Sequence, residues 1–315
     1  MTTTTPPLIA APEPQPTGRR LRAAQRAQEA KTKLSSPWAS LIAVVIAVLW
    51  TIPTIGLLIN SVRSEPGPSS SGWWRLFGSD GVGNVIHFSF TNYSRAWTGN
   101  GTGNPMSGFI LNTFVVTLPA VFIPVTLALL AAYAFAWIDF KGKNFLFVAI
   151  FALQIVPIQV ALLPLLTMYS NFGLTSSFWS IWLSHTIFGL PLAIFLLHNF
   201  MSEIPGSLVE AARVDGAGHV KIFLRVLLPL LVPAIAAFSI FQFLWVWNDL
   251  LVSLTFAGPN TTPITRGIQG LTTQFASAAN VLPAAAIIAM LIPLAVFLSL
   301  QRFFVRGLLA GSVKG

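Results

Sequence analysis

Few side chains in this 315-residue sequence could carry chemistry, and their spacing argues against most of it. The four histidines, His87, His185, His198 and His219, stand far apart with no carboxylate at ligand spacing, so no metal site is expected. Cysteine is absent, which excludes a thiolate zinc site, an iron–sulfur cluster, a disulfide framework and a cysteine nucleophile together. No Ser/His/Asp arrangement or Gly-x-Ser-x-Gly elbow is present to support a membrane enzyme. Gly142-Lys143 lacks the earlier glycine of a phosphate-binding loop, so no nucleotide or other cofactor is expected on this chain, and any ATP energy would have to come from another subunit. Asp249, beside Asn248, is the one acid inside an apolar run, a thin basis for an ion or proton relay. The other hydrogen-bonding groups of the apolar runs, Asn112, Gln154, Gln159, His185, Asn199 and Gln242, are uncharged. They suit a neutral, hydroxyl-rich solute, although hydrogen bonding between helices is the commoner use of such groups in a membrane.

The elements that must position these groups are set by composition. With 54% hydrophobic and only 9% charged residues, against roughly 25% charged in soluble domains, a soluble globular fold is excluded. Six apolar runs, at 37–61, 108–137, 144–170, 178–200, 229–254 and 283–303, each approach the roughly 20 residues a helical crossing needs. The expectation is therefore an all-α integral membrane protein with six transmembrane helices, each carrying proline (Pro53, Pro119, Pro157, Pro191, Pro233 and Pro293 among them) whose freed carbonyls neighbours can satisfy. Assigning the loops alternately to two sides puts 14 of the 18 basic residues on one side, which places both termini in the cytoplasm. The net charge of +9 follows from that flanking of spans and from contact with membrane lipid, so no nucleic acid is expected as a partner. Residues 1–36 read as a disordered basic tail, 37–61 as an uncleaved first span, 62–107 as an extracytoplasmic loop, 108–303 as a five-helix core and 304–315 as a cytoplasmic tail. Trp73, Trp74 and Trp97 in the long outer loop fit interfacial anchors, or indoles that stack on sugar or dock a partner.

The stretch 201–228, between the fourth and fifth runs, carries the most information. Ser207 followed by Glu210 has the capping-box spacing, which predicts a short helix from Ser207, with its body from Leu208 to about Asp215. Gly216 and Gly218 then release the chain into a second helix bearing Lys221 and Arg225. Leu208, Val209, Ala211, Ala212 and Val214 make the first helix apolar over much of its circumference, as a segment received by a partner's groove would be. An amphipathic loop lying on the membrane or on its own bundle remains open on these residues alone.

Glu210-Ala211-Ala212, three residues, Gly216, nine residues, then Val226-Leu227-Leu228-Pro229 resembles the Glu-Ala-Ala loop of permease subunits of binding-protein-dependent ABC importers, which usually have isoleucine at the Val226 position. Asn92-Tyr93, Asn112-Thr113, Trp247-Asn248-Asp249 and Gln301-Arg302-Phe303-Phe304-Val305-Arg306-Gly307 with residues 311–315 resemble the carbohydrate-uptake branch of that family, typified by the shorter permease of the maltose importer. The resemblance implies an ABC-importer permease fold with a cytoplasmic coupling helix between spans 4 and 5. It implies a heterodimer with a second permease subunit, two ATPase subunits that carry ATP and Mg, and an extracytoplasmic solute-binding protein, in the cytoplasmic (inner) membrane of a bacterium or archaeon. By the same resemblance Ser207, Glu210, Ala211, Ala212, Asp215 and Gly216 would form the ATPase joint, Ser312, Lys314 and Gly315 would touch the ATPase, and Asn248 and Asp249 would line the substrate path. The implied function is uptake of a sugar, an oligosaccharide or α-glucoside, by a non-catalytic subunit. A secondary transporter or channel for a neutral polar solute, working without an ATPase, is the other reading.

Overall fold

The computed structural model describes residues 37–63, 73, 88–100, 102, 103, 105–273 and 281–310, with side chains in the last segment described as far as 301. The chain divides into two units, Met1–Gly56 and Leu57–Gly315, with the boundary inside the first helix. That helix, α1, spans Pro37–Ser61, and its part in the first unit is one apolar rod with Pro53 inside it.

In the second unit α2 (Thr91–Thr98) precedes α3 (Met106–Trp137), a 32-residue helix. Then come α4 (Lys143–Ala152), a 3-10 turn (Leu153–Ile155), α5 (Ile158–Asn171) and α6 (Phe178–Ser202). After α6 the chain forms α7 (Gly206–Val214), α8 (His219–Ile222), a π-helical turn (Phe223–Leu227) and α9 (Leu228–Trp247). The last elements are α10 (Leu251–Phe256), α11 (Ile264–Thr273) and α12 (Val281–Ala310). Among the described residues five helical segments are long and apolar enough to cross a membrane, and the bent pair Lys143–Ile155 and Ile158–Asn171 makes a sixth if counted as one crossing.

Helix α3 is the spine of this unit, packing chiefly against α6 and α9, while α12 packs against α9. Among the described residues the buried apolar side chains gather in three clusters. One joins the C-terminal halves of α3 and α6 to α7, α8 and the start of α9. The other two lie toward the opposite end of α3, where it meets α2, α11 and α12, and where it meets α5, α10 and the far end of α9.

Prolines inside these helices are tolerated for a reason visible at three of them. A proline has no N–H to give the carbonyl four residues earlier, and in hydrocarbon that carbonyl has no water to turn to. Trp182 Nε1 donates to the Val115 carbonyl at 2.9 Å, four residues before Pro119. Gln242 Nε2 donates to Ala120 at 3.2 Å, four before Pro124, and Trp247 Nε1 donates to Ala289 at 3.2 Å, four before Pro293. Each freed acceptor is answered by a side chain of a neighbouring helix, a bond worth about 1 kcal/mol net and costly to leave unmade. Gln242 is thereby assigned to helix-to-helix bonding. Asn112 likewise spends its amide on backbone, donating to the carbonyls of Asn260 and Thr262 at 3.2 and 3.1 Å.

Four boundaries differ from those expected. The third run is not one rod: its halves meet at 101°. Val156 sits at φ −68°, ψ 120°, the extended region into which Pro157 forces the residue before it. The fifth crossing starts at His219 rather than 229, so the second loop helix is continuous with it. The join is the π turn, where Leu228 N–H bonds the Phe223 carbonyl one residue ahead of donor-free Pro229. The same crossing ends at Trp247 rather than 254, because Asn248 (φ −92°, ψ 0°) leaves the helix. Finally, α12 runs on to Ala310, where a tail from 304 was expected.

Candidate functional site

The loop helix α7 starts one residue before its expected beginning, and not by the expected device. Pro205, at φ −58° and ψ 129°, occupies the N-cap, and no side chain caps the helix. The Ser207–Glu210 capping box therefore does not form: Ser207 already lies inside the helix begun by Pro205, whose locked φ suits a helix entry. The exit is as expected. Gly216 has φ +73°, a left-handed conformation that costs a non-glycine residue about 1 kcal/mol or more. Gly216 N–H bonds the Arg213 carbonyl at 3.0 Å and Ala217 N–H bonds Ala212 at 2.9 Å, the paired bonds of a Schellman motif.

One side of α7 is moored. Val209 is 2% exposed in the cluster that contains Leu197, Met201 and Ile222, and Ala212 packs against it half-buried. The other side is open: Ser207, Glu210, Ala211 and Asp215 are exposed, Leu208 is 44% exposed and Val214 88%. A second tie lies just beyond Gly216. The Tyr133 hydroxyl of α3 is hydrogen-bonded to His219 Nδ1 at 2.7 Å, and its ring meets those of His219 and Phe223 edge-on. The structure brings Ser207, Glu210, Ala211, Ala212, Asp215 and Gly216 together on one two-turn element. Ser312, Lys314 and Gly315 lie outside the described residues, as does Trp74.

Asn248 and Asp249 stand at the break after α9 and do different things. Asn248 is exposed and its Nδ2 returns to the Leu244 carbonyl at 2.7 Å. Asp249 Oδ2 accepts the N–H groups of Val252 at 3.0 Å and Ser253 at 3.3 Å, capping α10. The Asp249 carbonyl takes the Thr265 hydroxyl at 2.7 Å. Fully buried His185 has Nε2 3.9 Å from Asp249 Oδ2, beyond hydrogen-bond reach, and its ring lies 5.3 Å from that of Trp245. The residues between this turn and α11 are tied down as well: the Thr113 hydroxyl accepts Ile264 N–H at 2.8 Å, and Arg266 donates to the carbonyls of Ser253 and Ala257.

Sequence reasoning did not single out a cavity of about 530 Å³ at the broken third span. Gln154 and Gln159 line it from either side of the break, with Gln242, Trp245, Ile187 and Gly189 from α6 and α9. The signal was there in the two glutamines flanking Val156-Pro157 in an otherwise apolar run.

Residues 124–309 match the model of the family described as binding-protein-dependent transport system inner membrane component. The chain belongs to this family. The permease is 44% identical to the osmoprotective compounds uptake permease protein GgtD of Synechocystis sp., over 85% of this chain and 89% of that one. It is 34% identical to the alpha-glucoside transport system permease protein AglG of Rhizobium meliloti, over 88% and 97% of the two chains. To the melibiose/raffinose/stachyose import permease protein MelC of Bacillus subtilis it is 33% identical, over 88% and 96%. Among solved structures it resembles a chain of a bacterial ABC transporter involved in the import of the acidic polysaccharide alginate, with a TM-score of 0.66 at 19% identity, covering 85% of this chain and 98% of that one. That likeness concerns the fold. The permease is thus a multi-pass membrane subunit of an ABC importer, in the family that its Glu-Ala-Ala loop resembles.

Proposed function

We propose that the permease moves a neutral sugar, of the oligosaccharide or α-glucoside class, into the cytoplasm as one half of a permease heterodimer. In this reading one of two ATPase subunits, which carry ATP and Mg, seats on α7 from the cytoplasm, the other serves the companion permease, and a solute-binding protein delivers the sugar from outside. Both termini then lie in the cytoplasm, in keeping with the charge bias of the loops. The named transport of α-glucosides and of melibiose, raffinose and stachyose by relatives supports the substrate class.

The observation that carries the reading is the two-sided character of α7. Buried Val209 fixes the helix to the ends of α3 and α6, while Leu208, Glu210, Ala211 and Val214 face away from the bundle. Small Ala211 admits close approach of another surface, and Leu208 and Val214 give that surface apolar area to cover. A push on the exposed side is transmitted through Val209 into the spans, so that ATPase closure and outward opening become one equilibrium. Ser312, Lys314 and Gly315 would add a second ATPase contact.

Because the chain has no cysteine, Ala211→Cys supplies a unique thiol on it. In the assembled transporter that thiol should crosslink to the ATPase subunit, with a yield that changes on ATP binding. Trehalose and sucrose uptake into proteoliposomes should require ATP on the ATPase side. Absence of any crosslink, or uptake by this chain alone driven by an ion gradient, would defeat the proposal.

A further inference from the structure

The broken third span has features that a lipid-facing or merely packed helix would not carry. Residues 153–157 are exposed, and Val156 is extended, so non-helical backbone stands open within a segment of membrane-spanning length. Hydrocarbon cannot satisfy such backbone, which is tolerated in a membrane only where it is buried in protein or lines a wet cavity. Gln154 and Gln159 are exposed too, and neither side-chain amide bonds another described residue. Each brings two donors and an acceptor to the cavity wall, groups that lipid would leave unpaired.

The facing wall adds to this. Pro191 withdraws the N–H that would otherwise bond the Ile187 carbonyl, and Ile187 lines the cavity. At Val115, Ala120 and Ala289 a neighbouring side chain answers the freed carbonyl, whereas at Ile187 none of the described side chains does. Gln242 has spent one amide hydrogen on Ala120 and keeps its carbonyl oxygen. It fits only because Gly189 has no Cβ, which would come within 2.8 Å of both terminal atoms of that amide. Trp245 supplies an indole, whose apolar face suits the C–H face of a sugar ring.

We infer that this cavity is a solute contact site of the permease, taking a neutral polyhydroxylated ring through the amides of Gln154 and Gln159 and the indole of Trp245. The assignment rests on the sugar-uptake reading above and locates its contacts away from Asn248 and Asp249. Among the described residues no ionised side chain lines the cavity, so none of them would compensate an anionic sugar. The volume of about 530 Å³ lies in the range of small-molecule sites, roughly 300–1,000 Å³. A lipid chain would leave the glutamines unsatisfied, and a segment of the companion permease would fill the space permanently; the test separates both from solute.

The experiment uses the whole transporter, with its partner subunits made cysteine-free, and single thiols introduced as Gln154→Cys, Gln159→Cys and Val160→Cys. Val160 is 66% exposed but outside the cavity. A water-soluble, charged thiol reagent should modify the first two at least about tenfold faster than the third, because reaction needs a hydrated thiolate. Trehalose or sucrose, delivered by the binding protein during ATP turnover, should slow that modification. Uniformly slow reaction means lipid or permanent packing and overturns the site, as does fast reaction that neither sugar slows. In parallel, Gln154→Leu with Gln159→Leu should lower uptake of either sugar by about tenfold or more, for the loss of two hydrogen bonds, while ATP hydrolysis stimulated by the loaded binding protein persists. Equal loss of both activities would mark a packing role and overturn the site. Unchanged sugar uptake in that double variant overturns the cavity assignment alone, and failure of the wild-type assembly to take up either sugar under ATP overturns the functional reading beneath it.

Discussion

At the α7 end of the bundle the chain is held by apolar contact, whereas around the turn after α9 and the start of α11 it is tied by side chains to backbone. Val209 touches its cluster with no directional bond, and α7 is closed by backbone bonds alone. At the other end Asn112, Thr113, Asp249 and Thr265 each bond a main-chain group across a helix or a turn, and Asn92 bonds the carbonyls of Ser61 and Arg63. Apolar contact is non-directional and survives a small slide, while a hydrogen bond weakens steeply once its angle is lost. The contrast assigns rigidity to the α10–α11 end and room for a small slide to the α7 end, with the Tyr133–His219 bond as a polar tie close to α7.

The strongest way to break this contrast is Gly216→Pro. It forces φ from +73° to about −65° and removes the N–H that bonds Arg213, so transport in proteoliposomes should fall below detection while the complex still copurifies. Wild-type uptake would remove α7 from the account. Next is Gly267→Ala at the rigid end, whose Cβ would run into the Phe109 ring; overpacking of about 1–3 kcal/mol should appear as a lower melting temperature in detergent. An unchanged melting temperature would mean that α11 can lift off α3. Val209→Ala should cost about 1–2 kcal/mol of packing and, more tellingly, reduce sugar moved per ATP hydrolysed, since the lever loses its mooring. A proportional fall in both rates would show that Val209 only stabilises. The smallest effects separate the two kinds of tie: Thr113→Val should cost about 1 kcal/mol of stability, whereas Tyr133→Phe should leave stability nearly unchanged and alter the ATP dependence of uptake.

Much of this fold was legible because length and apolarity decide where a helix can cross a membrane: α1 occupies the residues its hydropathy demanded. Gly216 was legible because a left-handed exit is a local requirement. What escaped depended on partners far away in the chain. Pro119 and Pro124 leave α3 continuous while Pro157 divides its span, and no local pattern separates these cases. At the first two, Trp182 and Gln242 hold the carbonyls that proline abandons; at Pro157 the chain turns instead, and the Leu153 carbonyl accepts Val156 N–H. The capping box failed for the converse reason, a nearer constraint: Pro205 had already started the helix before Ser207 could cap it. Of the candidate site, the Glu-Ala-Ala element was readable as a motif, the pairing of Asp249 with the amides of α10 was not, and the Gln154–Gln159 cavity needed the bend to exist.

The proline partnerships also bear on biogenesis. Chains are made from the N-terminus, so α3 reaches the bilayer before α6 or α9 has been synthesised. Trp182 lies 67 residues after Val115, and Gln242 lies 122 residues after Ala120. Until the ribosome has added them, the nascent second span carries two bare carbonyls, and it can settle fully into lipid only when its younger neighbours arrive.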